Sequence, residues 1–199
     1  MSSTHNFRKH THRNPIEKLI LKFFYYVLFS ELKNINPKKI LDAGAGEGFT
    51  IDKIQKEGIG EEIEGIEYSQ DAINLAKEHH PNAKIARGDI HNLSFPDNTF
   101  DLVLCTEVLE HVTDPENALK ELVRVSSKYV VLTVPNEPLF MLGNFIRGKN
   151  MKRWGNDMEH INHWTYFGFR RMAGKHLNIK KQIPLLFWTL IVGVKRSTD

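Results

Sequence analysis

Apolar positions along this chain follow two alternating rhythms. Short runs rich in β-branched residues read as buried strands, and longer stretches with apolar positions three and four apart read as helices. The chain from Lys39 into Gly44 reads as a strand ending in a glycine turn, and a helix follows from about Glu47 to Glu57. Glu62 to Glu67 is a second strand. A helix from Asp71 to His79 follows, with Ser69 as its N-cap. Ala83 to Arg87 and Phe100 to Cys105 are the next strands. Pro115 to Val125 carries helical spacing through Ala118, Leu119, Leu122 and Val125, and Tyr129 to Val134 is a strand ended by Pro135. A helix over Tyr166 to His176 precedes two last strands, Leu177 to Ile183 and Leu185 to Val194, with a turn expected at Pro184. Ahead of all these, Pro15 to Leu32 reads as an amphipathic helix with Pro15 near its first turn. The alternation of strands with helix-length connections predicts an α/β protein, a doubly wound parallel sheet with helices on both faces.

The remaining stretches are less regular. Residues 138–164 have no clear period and hold Gly143, Gly148 and Gly155, which suggests a long, partly helical insertion. Residues 1–14 are polar and are expected to be a flexible, solvated terminus. A single domain over 15–199 is expected, with residues 15–34 as its first helix and 138–164 on the acceptor side; 199 residues suffice for one sizeable core. There is no internal repeat.

Composition narrows the class without naming a function. Hydrophobic residues make up 41% and charged residues 26%, which is ordinary for a globular chain. The net charge of +3 is too small to argue for nucleic acid by itself. The single cysteine, Cys105, excludes an intrachain disulfide and fits a reducing, cytoplasmic setting. It lies in a predicted strand and reads as a small core residue. The apolar run Leu19 to Phe29 is interrupted by Lys22 and is too short to span a bilayer, and no signal-peptide pattern surrounds it. Its rings, Phe23, Phe24, Tyr25, Tyr26 and Phe29, are expected to pack on the domain or cover the substrate side, in preference to a membrane surface.

Candidate chemistry begins at Asp42-Ala43-Gly44-Ala45-Gly46-Glu47-Gly48-Phe49. Glycines at 44, 46 and 48 let the backbone turn sharply and approach a ligand, and the helix after them offers free N–H groups. A dinucleotide fingerprint needs a small residue three positions after Gly46, where this chain has Phe49. Asp42 would repel a pyrophosphate but can bond an ammonium group. Glu67 ends the second strand, 23 residues after Gly44, where a carboxylate can accept both ribose hydroxyl protons. Tyr68 follows it.

The glycine string resembles the first motif of the class I S-adenosylmethionine-dependent methyltransferases, of the type 11-like group. The resemblance is good over roughly residues 36–135. It implies a Rossmann-like fold: a mostly parallel seven-stranded sheet with an antiparallel last strand. It implies S-adenosyl-L-methionine as cofactor, held by Asp42, Gly44, Gly46, Gly48, Glu67, Tyr68, Asp89, Ile90 and Thr106. Asp89 would accept from the adenine amino group, Ile90 would pack on the ring, and Tyr68 would lie against it. The implied reaction is methyl transfer to an oxygen or nitrogen of a small-molecule acceptor, with no DNA partner.

A second constellation is Glu107-Val108-Leu109-Glu110-His111. If helical, Glu107, Glu110 and His111 share one face. The pattern is similar to the E-x-x-E-H element of the ubiquinone-biosynthesis O-methyltransferases and the small-RNA 2′-O-methyltransferases. Two carboxylates and an imidazole are three corners of a divalent metal site, and His160 or His163 could supply a fourth. The preferred reading needs no metal: His111 and Glu107 are catalytic, His111 as general base or positioning group, and His160 and His163 line the acceptor pocket. The rivals are metal-assisted RNA methylation, with Arg147, Lys149, Lys152 and Arg153 near phosphates, and a non-catalytic methyltransferase-like binding protein.

Overall fold

The computed structural model describes residues 14–146, 154 and 159–196. Its seven strands form one sheet in the order β3-β2-β1-β4-β5-β7-β6. The expected seven-stranded, mostly parallel sheet is therefore found. The chain divides into two compact units, Met1–Ile90 and His91–Asp199.

The first unit opens with helix α1, Pro15–Ile35. The Asn14 side chain caps it by accepting from the Ile16 amide at 3.0 Å, and Pro15 occupies the first turn, where no intrahelical N–H is needed. Asn36, at φ 52°, closes it with its N–H on the Leu32 carbonyl. One face buries Phe24, Tyr25, Leu28, Phe29 and Leu32. Phe23 and Tyr26 are exposed, so only three of the five rings pack as expected. Strands β1 (Lys39–Ala43), β2 (Glu62–Glu67) and β3 (Ile85–Arg87) run parallel, with Asp42 opposite Gly65 and Glu67 opposite Arg87. Helix α2, Phe49–Lys56, packs against β2 through Ile51 and Ile54. It starts two residues later than its apolar spacing suggests because Gly48 has a φ of 82° and cannot continue a helix. Helix α3, Gln70–His79, is capped by Ser69 as expected, the hydroxyl accepting from the Ala72 amide at 3.3 Å.

In the second unit, β4 (Phe100–Thr106) pairs in parallel with β5 (Ser126–Pro135) across helix α4, Pro115–Val125. Asp114 caps α4 through the Asn117 amide at 2.9 Å. Arg124, at the last turn of α4, donates to both Glu121 oxygens, to Asp97 and to the carbonyls of Leu93 and Phe95, all within 2.8 Å. It thereby fixes the chain that enters β4. Helix α5 is Glu137–Ile146, inside the irregular stretch, and helix α6 is Tyr166–Ala173, ending three residues short of expectation. Strands β6 (Leu177–Leu185) and β7 (Trp188–Lys195) form an antiparallel hairpin, and β7 runs antiparallel to β5. The turn falls at Leu186 and Phe187, not at Pro184. Pro184 sits inside β6 opposite Thr189, which is permitted because β6 is the edge of the sheet and need not donate on its outer side. Cys105 is buried within β4.

Candidate active site

In the first unit, β1 delivers its chain directly into the glycine turn. The amides of Gly44 and Ala45 both donate to the Ile66 carbonyl at 2.9 Å, so the turn is tied to the end of β2. Gly44, Gly46 and Gly48 have φ of 86°, 53° and 82°, conformations costly for residues with a Cβ. A Cβ at Gly48 would also lie 3.2 Å from the side chains of Ala83 and Ile85.

Glu67 is woven into this turn. One carboxylate oxygen accepts from the Gly46 amide at 2.9 Å and the other from the Ser69 amide at 2.8 Å. Asp42 is the contrasting carboxylate. It is 1% exposed, and neither of its oxygens has a hydrogen-bond partner among the described residues. Burial pushes its carboxyl up to about 7, with the neighbouring Glu67 charge adding to the effect. A buried carboxylate without a partner is costly, and a cationic donor would relieve it. Tyr68 and Asp89 are exposed beyond the ends of β2 and β3, while Ile90 is buried. This donor set suits a nucleoside with an ammonium-bearing tail better than one with a pyrophosphate. The Asp42 carboxylate has both oxygens available to a cationic donor, and the Glu67 oxygens, each accepting one amide, have lone pairs left for further donors.

The second unit holds the acidic and histidine residues. Thr106 is the last residue of β4, half-buried opposite Thr133. The expected helix over Glu107–His111 is not formed. Only Leu109–His111 makes a single 3-10 turn. Glu107 has a φ of 55°, and its amide donates to the Thr133 carbonyl. That left-handed residue breaks the helical spacing, so Glu107 does not share a face with Glu110 and His111.

Glu110, His111 and His160 do converge: one ligand atom from each lies within 4.8 Å of the others. The segment before α6 is strapped to this turn. The amides of Ile161 and Asn162 donate to the Glu110 carbonyl, and the Asn162 side chain donates to the carbonyls of Leu109 and Val112. His111 Nδ1 lies 2.9 Å from the Glu159 carbonyl. A carbonyl only accepts, so this nitrogen carries the proton and Nε2 keeps its lone pair. His160 is buried, and its Nδ1 lies 2.7 Å from Glu137 Oε1. The two imidazole rings stand edge to face, 5.0 Å between centroids. His163 is set apart, half exposed, with its Nδ1 3.4 Å from the same Glu137 oxygen.

Glu137 is the functional candidate that sequence reasoning missed. It follows β5 as Glu67 follows the body of β2, and an acidic residue at the carboxyl end of a parallel strand was the available signal. Arg147, Lys149, Lys152 and Arg153, and the terminus 1–13, lie outside the described residues.

Residues 41–132 match the family described as "Methyltransferase domain". Norajmaline N-methyltransferase from Rauvolfia serpentina is 35% identical over 53% of this chain and 36% of its own length. The mitochondrial ubiquinone biosynthesis O-methyltransferase of Schizosaccharomyces pombe is 31% identical over 56% of this chain and 43% of its own. This chain thus spans less than half the length of either relative. Among solved structures, the PH0226 protein from Pyrococcus horikoshii OT3 superposes with a TM-score of 0.74 at 19% identity, covering 96% of both chains. That likeness is one of fold.

Proposed function

We propose, on the premise that this chain belongs to the class I S-adenosylmethionine-dependent methyltransferases, that it methylates an oxygen or nitrogen of a small-molecule acceptor. The observation that carries this reading is Asp42: a buried carboxylate with no partner for either oxygen among the described residues, beside a glycine turn stitched to Glu67. Asp42 binds the amino group of the cofactor's methionine tail. Glu67 receives the ribose hydroxyls while its bonds to Gly46 and Ser69 hold it in place. Asp89 and Ile90 take the adenine, with Tyr68 against it, and Thr106 is a further cofactor-binding candidate.

S-adenosylmethionine supplies an electrophilic methyl carbon whose bond to sulfur breaks as the acceptor attacks. The chain's task is to align the acceptor with that carbon, to exclude water and to take up the acceptor's proton. His111 suits the last role, because its protonated Nδ1 leaves Nε2 as a base. His160 and His163 bind the acceptor, oriented by Glu137. The relatives include an N- and an O-methyltransferase, which supports leaving the acceptor atom open. A sequence with one cysteine, Cys105, supports a reducing, cytoplasmic setting.

Titration calorimetry tests this reading. S-adenosylhomocysteine is expected to bind and NAD to give no heat. Tight NAD binding without a response to S-adenosylhomocysteine would overturn the assignment.

One observation favours a second reading. One ring nitrogen from each of His111 and His160 and a carboxylate oxygen of the buried Glu110 converge, and each ring is also bonded at Nδ1. That donor set fits a divalent metal. Such an ion would grip paired oxygens on the acceptor, as on a ribose 2′,3′-diol at an RNA end, and lower the pKa of the attacking hydroxyl. Equilibrium dialysis with Mn²⁺ or Zn²⁺ decides between the two. Stoichiometric binding that His160→Ala removes supports the metal; no retained metal in the intact chain leaves His111 as the base.

A further inference from the structure

We infer that α1 docks its outward face on an anionic lipid surface. The helix is held so that its two faces are distinct. Tyr25 Oη lies 3.3 Å from Thr50 Oγ1, Lys53 sits over the Tyr25 ring, and Lys33 pairs with Glu57 at 2.7 Å. These contacts with α2 and its end turn Phe24, Tyr25, Leu28, Phe29 and Leu32 inward. On the opposite side, Ile16, Leu19, Phe23 and Tyr26 are 65%, 68%, 50% and 72% exposed. Their spacing of three, four and three residues puts them in one row along nearly three turns.

A helix that is apolar on both faces has something to bury on each. The inner face meets its own unit. For the outer face, charge identifies the occupant. Lys18 and Lys22 are exposed at the edge of the row. Residues 1–22 hold Arg8, Lys9, Arg13, Lys18 and Lys22 against Glu17 alone, while the whole chain carries only +3. The positive excess of the sequence is therefore concentrated in the stretch that precedes and opens α1. An apolar strip bordered by basic residues is the signature of a helix lying in a bilayer interface, its side chains among the acyl chains and its cations at the headgroups. Each cation near an anionic surface is worth about fivefold in partitioning. A second copy is a poorer occupant, because it would bring the same positive charge against itself. No helix among the described residues is long and apolar enough to cross a membrane.

Sedimentation with vesicles tests the inference. The full chain is expected to bind phosphatidylcholine vesicles containing about a third phosphatidylserine at least tenfold more strongly than phosphatidylcholine alone. High salt is expected to weaken that binding. Phe23→Glu, at an exposed site that leaves the core intact, should reduce it at least tenfold. Its melting temperature and its S-adenosylhomocysteine affinity should stay unchanged, which separates loss of docking from unfolding. Equal binding to both vesicles, or Phe23→Glu binding like the parent, would overturn the inference. So would a stable dimer in lipid-free buffer that Phe23→Glu dissociates.

Discussion

Lowering the pH from about 8 to about 5 is expected to stabilise the ligand-free protein while weakening its grip on S-adenosylhomocysteine. Both effects come from Asp42. Its carboxyl is raised from 3.8 to about 7 in the folded state, first by burial and then by the Glu67 charge. Between roughly pH 4 and pH 7 the folded chain therefore binds a proton that the unfolded chain does not. Stability must fall as pH rises through that window, by at most about 1.4 kcal/mol per pH unit. Above pH 7 the buried charge costs its full amount. Asp42→Asn removes that charge and should stabilise the ligand-free chain at about pH 8 by on the order of 3 kcal/mol. In the proposed site the same variant loses the partner of the cofactor's ammonium and should bind S-adenosylhomocysteine much more weakly. Melting curves at several pH values and calorimetry in buffers of different ionisation enthalpy read the two effects. A parent stability flat from pH 5 to 8, or unimpaired binding by Asp42→Asn, would refute this account of Asp42.

Glu67→Ala should weaken S-adenosylhomocysteine binding by about 1–3 kcal/mol, roughly 5- to 150-fold. Part of this is the hydrogen bonding of the ribose hydroxyls to a charged acceptor, which alanine cannot provide. The rest comes from the turn, because the amides of Gly46 and Ser69 are left without their acceptor. Glu67→Gln keeps one carbonyl oxygen and is expected to recover part of the affinity. Removing the Glu67 charge also eases the burden on Asp42, so the melting temperature of the ligand-free chain should move little. Calorimetry on both variants measures the effect; an affinity unchanged in Glu67→Ala would mean that the ribose site lies elsewhere.

Much of this molecule is legible in its sequence, for local reasons. A buried parallel strand needs an apolar, β-branched run, so β4 and β5 stand out, and Ser69 marks the start of α3 because its hydroxyl answers an amide three residues on. The glycine turn and Glu67 are readable for the same reason: each is a local signal at a strand end. Other features depend on backbone choices that side-chain spacing does not encode. Gly48 delays α2, and the left-handed Glu107 turns an apparent helix face into a single 3-10 turn. Pro184 reads as a turn residue but is tolerated in a strand because β6 lies at the sheet edge. Glu137 is hard to single out because its partners, His160 and His163, lie beyond a long stretch without periodicity.

The stitching of the glycine turn to β2 bears on the timing of ligand capture. Gly44 and Ala45 are tied to Ile66, and Gly46 to Glu67, by bonds the chain makes with itself. The conformational entropy of shaping this loop is therefore spent during folding rather than at encounter. In the proposed site, a ligand that uses Asp42 and Glu67 would meet a turn already shaped by the chain's own bonds, with little of its affinity diverted to ordering that loop.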